Sequence, residues 1–351
     1  MSVCAVVGGQ FGSEGKGLIV SKIAHEYEHH IRVGAPNAGH TIYDDDGEKH
    51  VMQQLPCAAY TNVEAGLWIG PGAQIKPDIL QKEIGLLREW RAERSLDPIV
   101  INIDYRAHVI QPEHVQREQE SGLAERIGST STIAREGIGA AQAARVMRDE
   151  SCVLASDWVW QPDDGVVLAD VPYELSELDS ILLEGTQGTG LSLTTGHFPF
   201  VTSRNTTAAG LAADCGVAPN RLDRIVVVCR TYPIRVAGNS GPFHDSSREI
   251  SWEDIDVDSE SERTTVTKKV RRVATWSMEQ VLEAIYLNGA TELAITFTDY
   301  IEPTIGGESG DWRGVDFSSY PELLEIVGAI QKETNVPITM LGTGPNSVIH
   351  T

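Results

Sequence analysis

The stretch that most limits what this chain can become runs from Val3 to Ala24. An apolar run, Val3-Cys4-Ala5-Val6-Val7, feeds Gly8-Gly9-Gln10-Phe11-Gly12-Ser13-Glu14-Gly15-Lys16-Gly17. Leu18-Ile19-Val20-Ser21-Lys22-Ile23-Ala24 then reads as a helix. Strand, glycine-rich turn and helix in that order put backbone N–H groups and the positive end of a helix dipole around a phosphate-sized hollow, with Lys16 as a point charge. The spacing is not that of a P-loop. Gly9 stands one residue too far from Gly15 for G-x-x-x-x-G-K-[ST], and Gly17 occupies the place of the Mg²⁺-binding hydroxyl.

Composition narrows the setting. A net charge of −22 over 351 residues argues against a nucleic-acid surface, which needs a basic footprint, but leaves room for a local pocket that takes a mononucleotide. The five cysteines are odd in number and widely spaced, with no C-x-x-C, which speaks against a disulfide framework or a zinc site and fits a reducing compartment. No apolar run approaches a membrane span, and the chain enters a strand with no leader-like segment, so a cytoplasmic protein is expected.

Strands and helices alternate along the rest of the chain. Strands are expected at 31–33, 67–70, 99–103, 180–184, 224–229 and 292–297, with a final strand at 338–341. Helices are expected over 78–94, within 112–149, over 276–288 and over 320–334. Asp44-Asp45-Asp46-Gly47 reads as a solvated hairpin turn between Thr41-Ile42-Tyr43 and Lys49-His50-Val51-Met52. The pattern predicts a single doubly wound α/β domain over 1–351, with a mostly parallel, P-loop-NTPase-like central sheet. Segment 239–275 is rich in Ser, Asp, Glu and Arg, and reads as a polar substrate loop.

Open α/β sheets bind ligands where the carboxyl ends of their strands meet loops. Three such loops carry suitable groups: Gly12 to Gly17, Asn37 to Thr41, and Glu184 to Gly190. His40, flanked by Asn37, Gly39 and Thr41, is the histidine placed to donate a proton near a phosphate. No G-x-S-x-G nucleophile elbow occurs, so a serine-hydrolase reading of that kind lacks support.

The segments Gly12-Ser13-Glu14-Gly15-Lys16-Gly17, Asn37-Ala38-Gly39-His40-Thr41, Glu184-Gly185-Thr186-Gln187-Gly188 and 198–208 strongly resemble those of adenylosuccinate synthetases. So do 235–243, the 265–272 loop, Asp299 and Gly342-Thr343-Gly344-Pro345, in family order, and the chain length is that of the compact archaeal form. The resemblance implies a ligase that phosphorylates the purine 6-oxygen from a nucleoside triphosphate and then lets the amine of L-aspartate displace the phosphate. It implies catalytic roles for Ser13, Lys16, His40 and Gln187. Triphosphate contacts are implied for Gly12, Ser13, Glu14, Gly15, Lys16, Gly17, Asp299, Gly342 and Gly344. The purine monophosphate is assigned to Ser13, Asn37, Ala38, Gly39, Thr130, Arg148, Gln187, Thr202 and Gly238. Aspartate is assigned to Thr265, Val266, Thr267, Lys269 and Arg271, and Mg²⁺ to Ser13 and Gly39. Arg148 falls where the family has an arginine that reaches a partner subunit, implying a homodimer.

The departures from the pattern carry information. Ser13 stands where ordinary members carry aspartate as base and metal ligand, and a serine hydroxyl cannot be that base. Serine there resembles the phage-type branch, which joins aspartate to dGMP on the route to diaminopurine DNA. A host cytoplasm would follow from such an origin. Phe297 replaces the lysine of a Lys-x-Asp guanine-reading motif, leaving room for ATP or dATP beside GTP. Lys268-Lys269 replaces Gly-Arg, and either Thr130 or Thr132 fills the phosphate-binding position. Two other readings stay open: an archaeal-type enzyme acting on IMP with GTP, and an inactive nucleotide-binding relative.

Overall fold

The computed structural model describes residues 2–127, 136–161, 165–255, 262–263 and 269–350. Its centre is an eleven-stranded sheet. In chain order the strands are β1 (Val3–Gly8), β2 (His29–Arg32), β3 (Gly66–Ile69), β4 (Ile101–Asp104), β5 (Val166–Ala169) and β6 (Ile181–Glu184). They continue with β7 (Arg224–Arg230), β8 (Glu292–Thr296), β9 (Gly310–Asp311), β10 (Ile338–Gly342) and β11 (Val348–His350). Across the sheet they run β5-β4-β3-β2-β6-β1-β7-β8-β10-β11-β9. Every neighbouring pair from β5 to β10 is parallel. β1 therefore lies in the interior, between β6 and β7, and alternates its side chains into two cores. Cys4 and Val6 join Ile19, Leu80 and Leu87 on one face, while Val3, Ala5 and Val7 join Leu211, Val281 and Leu323 on the other. Burial on both faces is what makes such strands continuously apolar.

The helices that cover those faces are α1 (Lys16–Ile23), α2 (Pro77–Glu93), α3 (Pro112–Glu120), α4 (Ile138–Met147), α5 (Ala208–Cys215), α6 (Met278–Asn288) and α7 (Pro321–Glu333). α2, α3 and α7 each begin with proline, whose fixed φ suits the first helical turn. The doubly wound, mostly parallel architecture is the one predicted.

Four details differ from the prediction. The chain does not finish its sheet at Leu341: it turns back into β11, antiparallel to β10. The edge strands β5 and β9 were not foreseen, because both are short and neither is fully buried. Segment 239–275 is not simply a loop, since Glu249–Ile250 and Arg272–Ala274 form a three-stranded antiparallel sheet with Ile234–Arg235.

The fourth difference is in the hairpin. It forms with the expected pairing, His40 opposite Met52 and Tyr43 opposite Lys49. Its turn, however, is not wholly solvated. Asp44 is 3 % exposed and accepts from Trp90 Nε1 at 2.8 Å, the Glu48 N–H at 2.8 Å and the Asp46 N–H at 3.1 Å, with His50 Nε2 also 3.1 Å away. The carboxylate pins the hairpin to α2.

Candidate functional site

Because the strands from β2 to β10 are parallel, the loops after β1, β2, β6, β7, β8 and β10 leave the sheet along one edge. The register then aligns charge along that edge. Val6 on β1 lies opposite Glu184 on β6, which lies opposite Arg32 on β2.

The loop after β1 closes on its own side chain. Glu14 is fully buried. One of its carboxylate oxygens accepts the N–H of Gly12 at 2.7 Å and of Gln10 at 3.1 Å, and the other meets Lys16 Nζ at 2.5 Å. Gly12, Ser13 and Gly15 all have left-handed φ, of 86°, 60° and 83°, so the loop coils tightly and Ser13 is carried to its exposed rim. A Cβ on Gly8 would sit 2.5 Å from both the Gln187 carbonyl and Glu14, which explains glycine where the loops after β1 and β6 touch. Gly17 has a similar reason. A Cβ there would lie 2.8 Å from the Thr41 carbonyl and 3.1 Å from His40 Cβ, so the first turn of α1 packs too closely on the hairpin to carry the P-loop hydroxyl.

His40 is the first residue of a hairpin strand rather than a loop residue. Its Nδ1 lies 2.6 Å from Oε1 of Glu184, on which Arg32 donates at 2.7 Å and the Cys57 thiol at 3.1 Å. The other Glu184 oxygen accepts the Cys57 N–H at 2.7 Å. Burial, reinforced by the Arg32 guanidinium, pushes His40 down to about 4. Burial would push Glu184 up, but Arg32 and the bond to His40 outweigh it and hold the carboxyl at about 2. The pair is therefore a neutral imidazole donating Nδ1–H to a carboxylate, which leaves Nε2 as the ring's second nitrogen. His40, Cys57 and Glu184 have the spacing of metal ligands, yet Arg32 already supplies the positive charge that a cation would bring.

Of the purine-assigned residues, the Asn37–Gly39 turn lies beside this pair. Arg32 also donates to the Ala38 carbonyl at 2.6 Å, tying the Asn37–Gly39 turn to Glu184. Gln187, at φ 63°, donates to Thr202 Oγ1 at 2.9 Å. Gln187 Oε1 and Asn37 Oδ1 are buried without a hydrogen-bond partner among the described residues. Leaving such atoms unpaired is costly, so they are apt ligand acceptors. Gly238 follows Arg235, whose guanidinium lies over the Phe11 ring at 4.3 Å, beside the first loop.

At the end of β8, Thr298 Oγ1 donates to the Gly342 carbonyl at 3.0 Å, which brings Asp299 next to the Gly342–Gly344 turn. Asp299 Oδ1 is likewise buried and unpaired, and burial raises its carboxyl above the ordinary value. A Cβ on Gly15 would touch Thr296 and Phe297, so these residues adjoin the first loop.

Arg271 donates its N–H to the Glu262 carbonyl at 2.8 Å, and Lys269 lies just before it. Arg148 stands apart. It is exposed at the end of α4, beside Val146 and Met147, which are 61 % and 75 % exposed. Thr130, Thr132, Thr265, Val266, Thr267 and Lys268 lie outside the described residues.

The sequence reading passed over Arg32, Cys57, Arg230 and Glu262, and gave Glu184 no role. The signal for Arg230 was present: it is a charge that closes the apolar run Ile225–Cys229 of a central strand, which demands a buried partner.

Known proteins match this arrangement. The family model for adenylosuccinate synthetase covers residues 5–156 and 167–304. The chain belongs to the adenylosuccinate synthetase family. Members are carbon–nitrogen bond-forming ligases and are generally Mg²⁺-dependent. The adenylosuccinate synthetase of Archaeoglobus fulgidus is 35 % identical over 98 % of this chain and 96 % of its own. That of Thermococcus onnurineus is 36 % identical over 97 % and 95 %. Among solved structures, succinoaminodeoxyadenylate synthetase of cyanophage S-2L, bound to dGMP and dATP as an energy donor, superposes with a TM-score of 0.83 at 31 % identity. That match covers 100 % of this chain and 95 % of the phage chain. The fully ligated Plasmodium falciparum adenylosuccinate synthetase, 19 % identical with a TM-score of 0.81, shares the fold and covers all of both chains. Among the described residues, no helix of this adenylosuccinate synthetase-family protein is long and apolar enough to cross a membrane.

Proposed function

We propose that this ligase condenses L-aspartate with dGMP, driven by ATP or dATP, to give 2-amino-2'-deoxy-N6-succinyladenylate for diaminopurine DNA. The observation that carries the reading is Ser13, a short neutral hydroxyl at the exposed rim of the first loop where a base would otherwise stand. A hydroxyl leaves room beside the pyrimidine edge of the purine and can accept from a 2-amino group. The likeness to the cyanophage enzyme supports the choice of nucleotide. Phe297, which carries the Arg230 guanidinium over its ring at 3.8 Å, stands in place of a guanine-reading lysine, and the loss of that lysine supports an adenine donor.

In this reading the N1 proton passes to a water or to the substrate's own phosphate as the γ-phosphoryl passes to the purine 6-oxygen. The aspartate amine then attacks C6, gives up a proton and expels phosphate. Lys16 and the first-loop amides exchange Glu14 for the incoming phosphoryl oxygens, and charge neutralisation does most of the work. His40 serves as general acid: a polyanion beside it offsets the pull of burial and Arg32, so the imidazole gains a proton as substrate binds. Gln187 Oε1 and Asn37 take the purine and its phosphate, Asp299 takes the donor base, and Arg271 takes aspartate carboxylate through its planar fork. The Ser13 hydroxyl and the Gly39 carbonyl are neutral oxygens at the exposed rim, which fits a Mg²⁺ that keeps most of its waters and phosphate ligands. Bound there, the ion would neutralise phosphate charge. Arg148, projecting with Val146 and Met147, would complete the site of a second copy in a homodimer. Residues 1–351 act as one domain, with 239–275 over the substrates.

Whole-length similarity to archaeal adenylosuccinate synthetases favours a second reading, in which IMP and GTP are used. One assay separates the two. Purified protein is given aspartate, either dGMP, GMP or IMP, and either ATP, dATP or GTP. Turnover of dGMP is expected, and turnover of IMP alone would sink the proposal. Ser13→Asp should lose activity on the guanine nucleotide; a gain of IMP activity instead favours the second reading.

A further inference from the structure

Arg230, the last residue of β7, is fully buried, and both of its Nη atoms are engaged while Nε has no partner among the described residues. It donates to the Ser13 carbonyl at 3.1 Å, and its two Nη atoms grip the Glu262 carboxylate as a fork, the longer contact being 3.3 Å. Its flat face lies on Phe297. Its backbone is clasped by the Gln10 side chain in both directions, at 2.9 and 3.0 Å. Glu262 in turn accepts the Tyr300 hydroxyl at 3.0 Å, and its carbonyl accepts the Arg271 N–H at 2.8 Å. Three parts of the site thus meet at one ion pair: the first loop through Ser13, the end of β8 through Phe297 and Tyr300, and the approach to Arg271.

An ion pair with one fully buried partner and one largely buried partner is a poor way to add stability, because its attraction only partly repays the cost of desolvation. Its better-attested use is to fix geometry. We infer that Glu262 is a positioning residue: its carboxylate tethers the Arg271 segment to Arg230 and so sets where an amino-acid carboxylate is held relative to the Ser13 loop. Charge, and not only hydrogen bonding, is needed. Burial lowers the Arg271 guanidinium from its ordinary value, Glu262 is the neighbour that opposes this, and Arg230 adds to the lowering. One carboxylate therefore pairs with the buried Arg230 guanidinium and also offsets the partly buried charge of Arg271. The role rests on the reading that the second substrate is aspartate, and its test must separate the two.

Glu262→Gln removes the charge, and Tyr300→Phe removes a single hydrogen bond to it with little risk to folding. Relative to wild type, Glu262→Gln should raise the KM for aspartate about tenfold, with the KM values for dGMP and ATP within about twofold. Tyr300→Phe should shift the aspartate KM in the same direction by about two- to threefold. A merely structural lesion would lower active enzyme and kcat without that split. Unchanged aspartate KM in both variants, or nucleotide KM values rising in step with it, would overturn the inference. If wild-type protein consumes no aspartate with any purine monophosphate, the functional reading fails instead. Tryptic cleavage after Lys268 and Lys269 then decides the tether alone: faster cutting of Glu262→Gln supports it, and equal rates reject it.

Discussion

Glu14 and Lys16 flank Gly15, and their side chains meet at 2.5 Å with both almost wholly buried. The hollow that the first loop builds for a phosphate is thus closed around an anion which the loop itself supplies. In the proposed reaction a substrate phosphoryl group would exchange one anion for another there. Glu14→Gln leaves the Lys16 ammonium buried beside a neutral amide, a change expected to cost about 3–5 kcal/mol. Because an added triphosphate returns the missing charge, its stabilising effect should be larger on this variant than on wild type. Thermal melts with and without ATP measure both, and equal ligand-induced shifts would refute the exchange.

The His40–Glu184 pair predicts a particular acid response. His40 falls from the ordinary 6.5 to about 4 in the fold, so the unfolded chain takes up its proton first. The stability it contributes is present above pH 6.5 and is lost as pH falls towards 4. Glu184 falls from 4.5 to about 2, and its contribution is present above pH 4.5 and lost as pH drops towards 2. Denaturant titrations should show stability declining already below pH 6.5. His40→Asn should make the decline between 6.5 and 4 shallower, the remainder coming from other buried histidines such as His108, also pushed down to about 4. Calorimetry in buffers of different ionisation enthalpy tests the general-acid role. Nucleotide binding near pH 7 should take up about one proton in wild type and none in His40→Asn.

How much of this could be read from residue order depends on the range of the cause. The β1 turn was legible because strand, glycines and helix are local, and β7 because an apolar run declares burial on both faces. Residues that resemble a family's ligands could be named before their neighbours were known. What residue order hides is partnership. Arg32 and Glu184 are 152 positions apart yet bonded at 2.7 Å across adjacent strands, and Arg230 finds Glu262 only through the topology. Asp44 misled for the same reason. Three aspartates and a glycine describe a wet turn, and nothing local tells which carboxylate α2 will bury.

That carboxylate supports the next expectation. Asp44→Ala would strip partners from Trp90 Nε1 and from two turn amides, and would remove the anion facing His50 and Arg94. The loss should be about 2–4 kcal/mol, since several donors are left unpaired at once. Asp45→Ala, in the same acidic run but exposed, should change stability by less than about 0.5 kcal/mol. Urea unfolding of the two variants compares them, and equal losses would contradict the buried role of Asp44.

Gly17 gives the sharpest contrast with an ordinary P-loop. Gly17→Ser restores the hydroxyl that such loops use for Mg²⁺, yet its Cβ would stand 2.8 Å from the Thr41 carbonyl, a backbone atom that cannot swing aside. α1 and the hairpin strand carrying His40 must then separate, at a cost of about 1–3 kcal/mol, and the displacement reaches His40 directly. Gly85→Ala in α2 is the matched control. A Cβ there meets nothing within 4 Å, so the exchange should add about 0.5–1 kcal/mol through the lost freedom of the unfolded chain. Chemical denaturation of both variants, with ligase activity measured on Gly17→Ser, makes the comparison. Stability and activity at wild-type levels in Gly17→Ser would show that close packing is not what keeps glycine at this position.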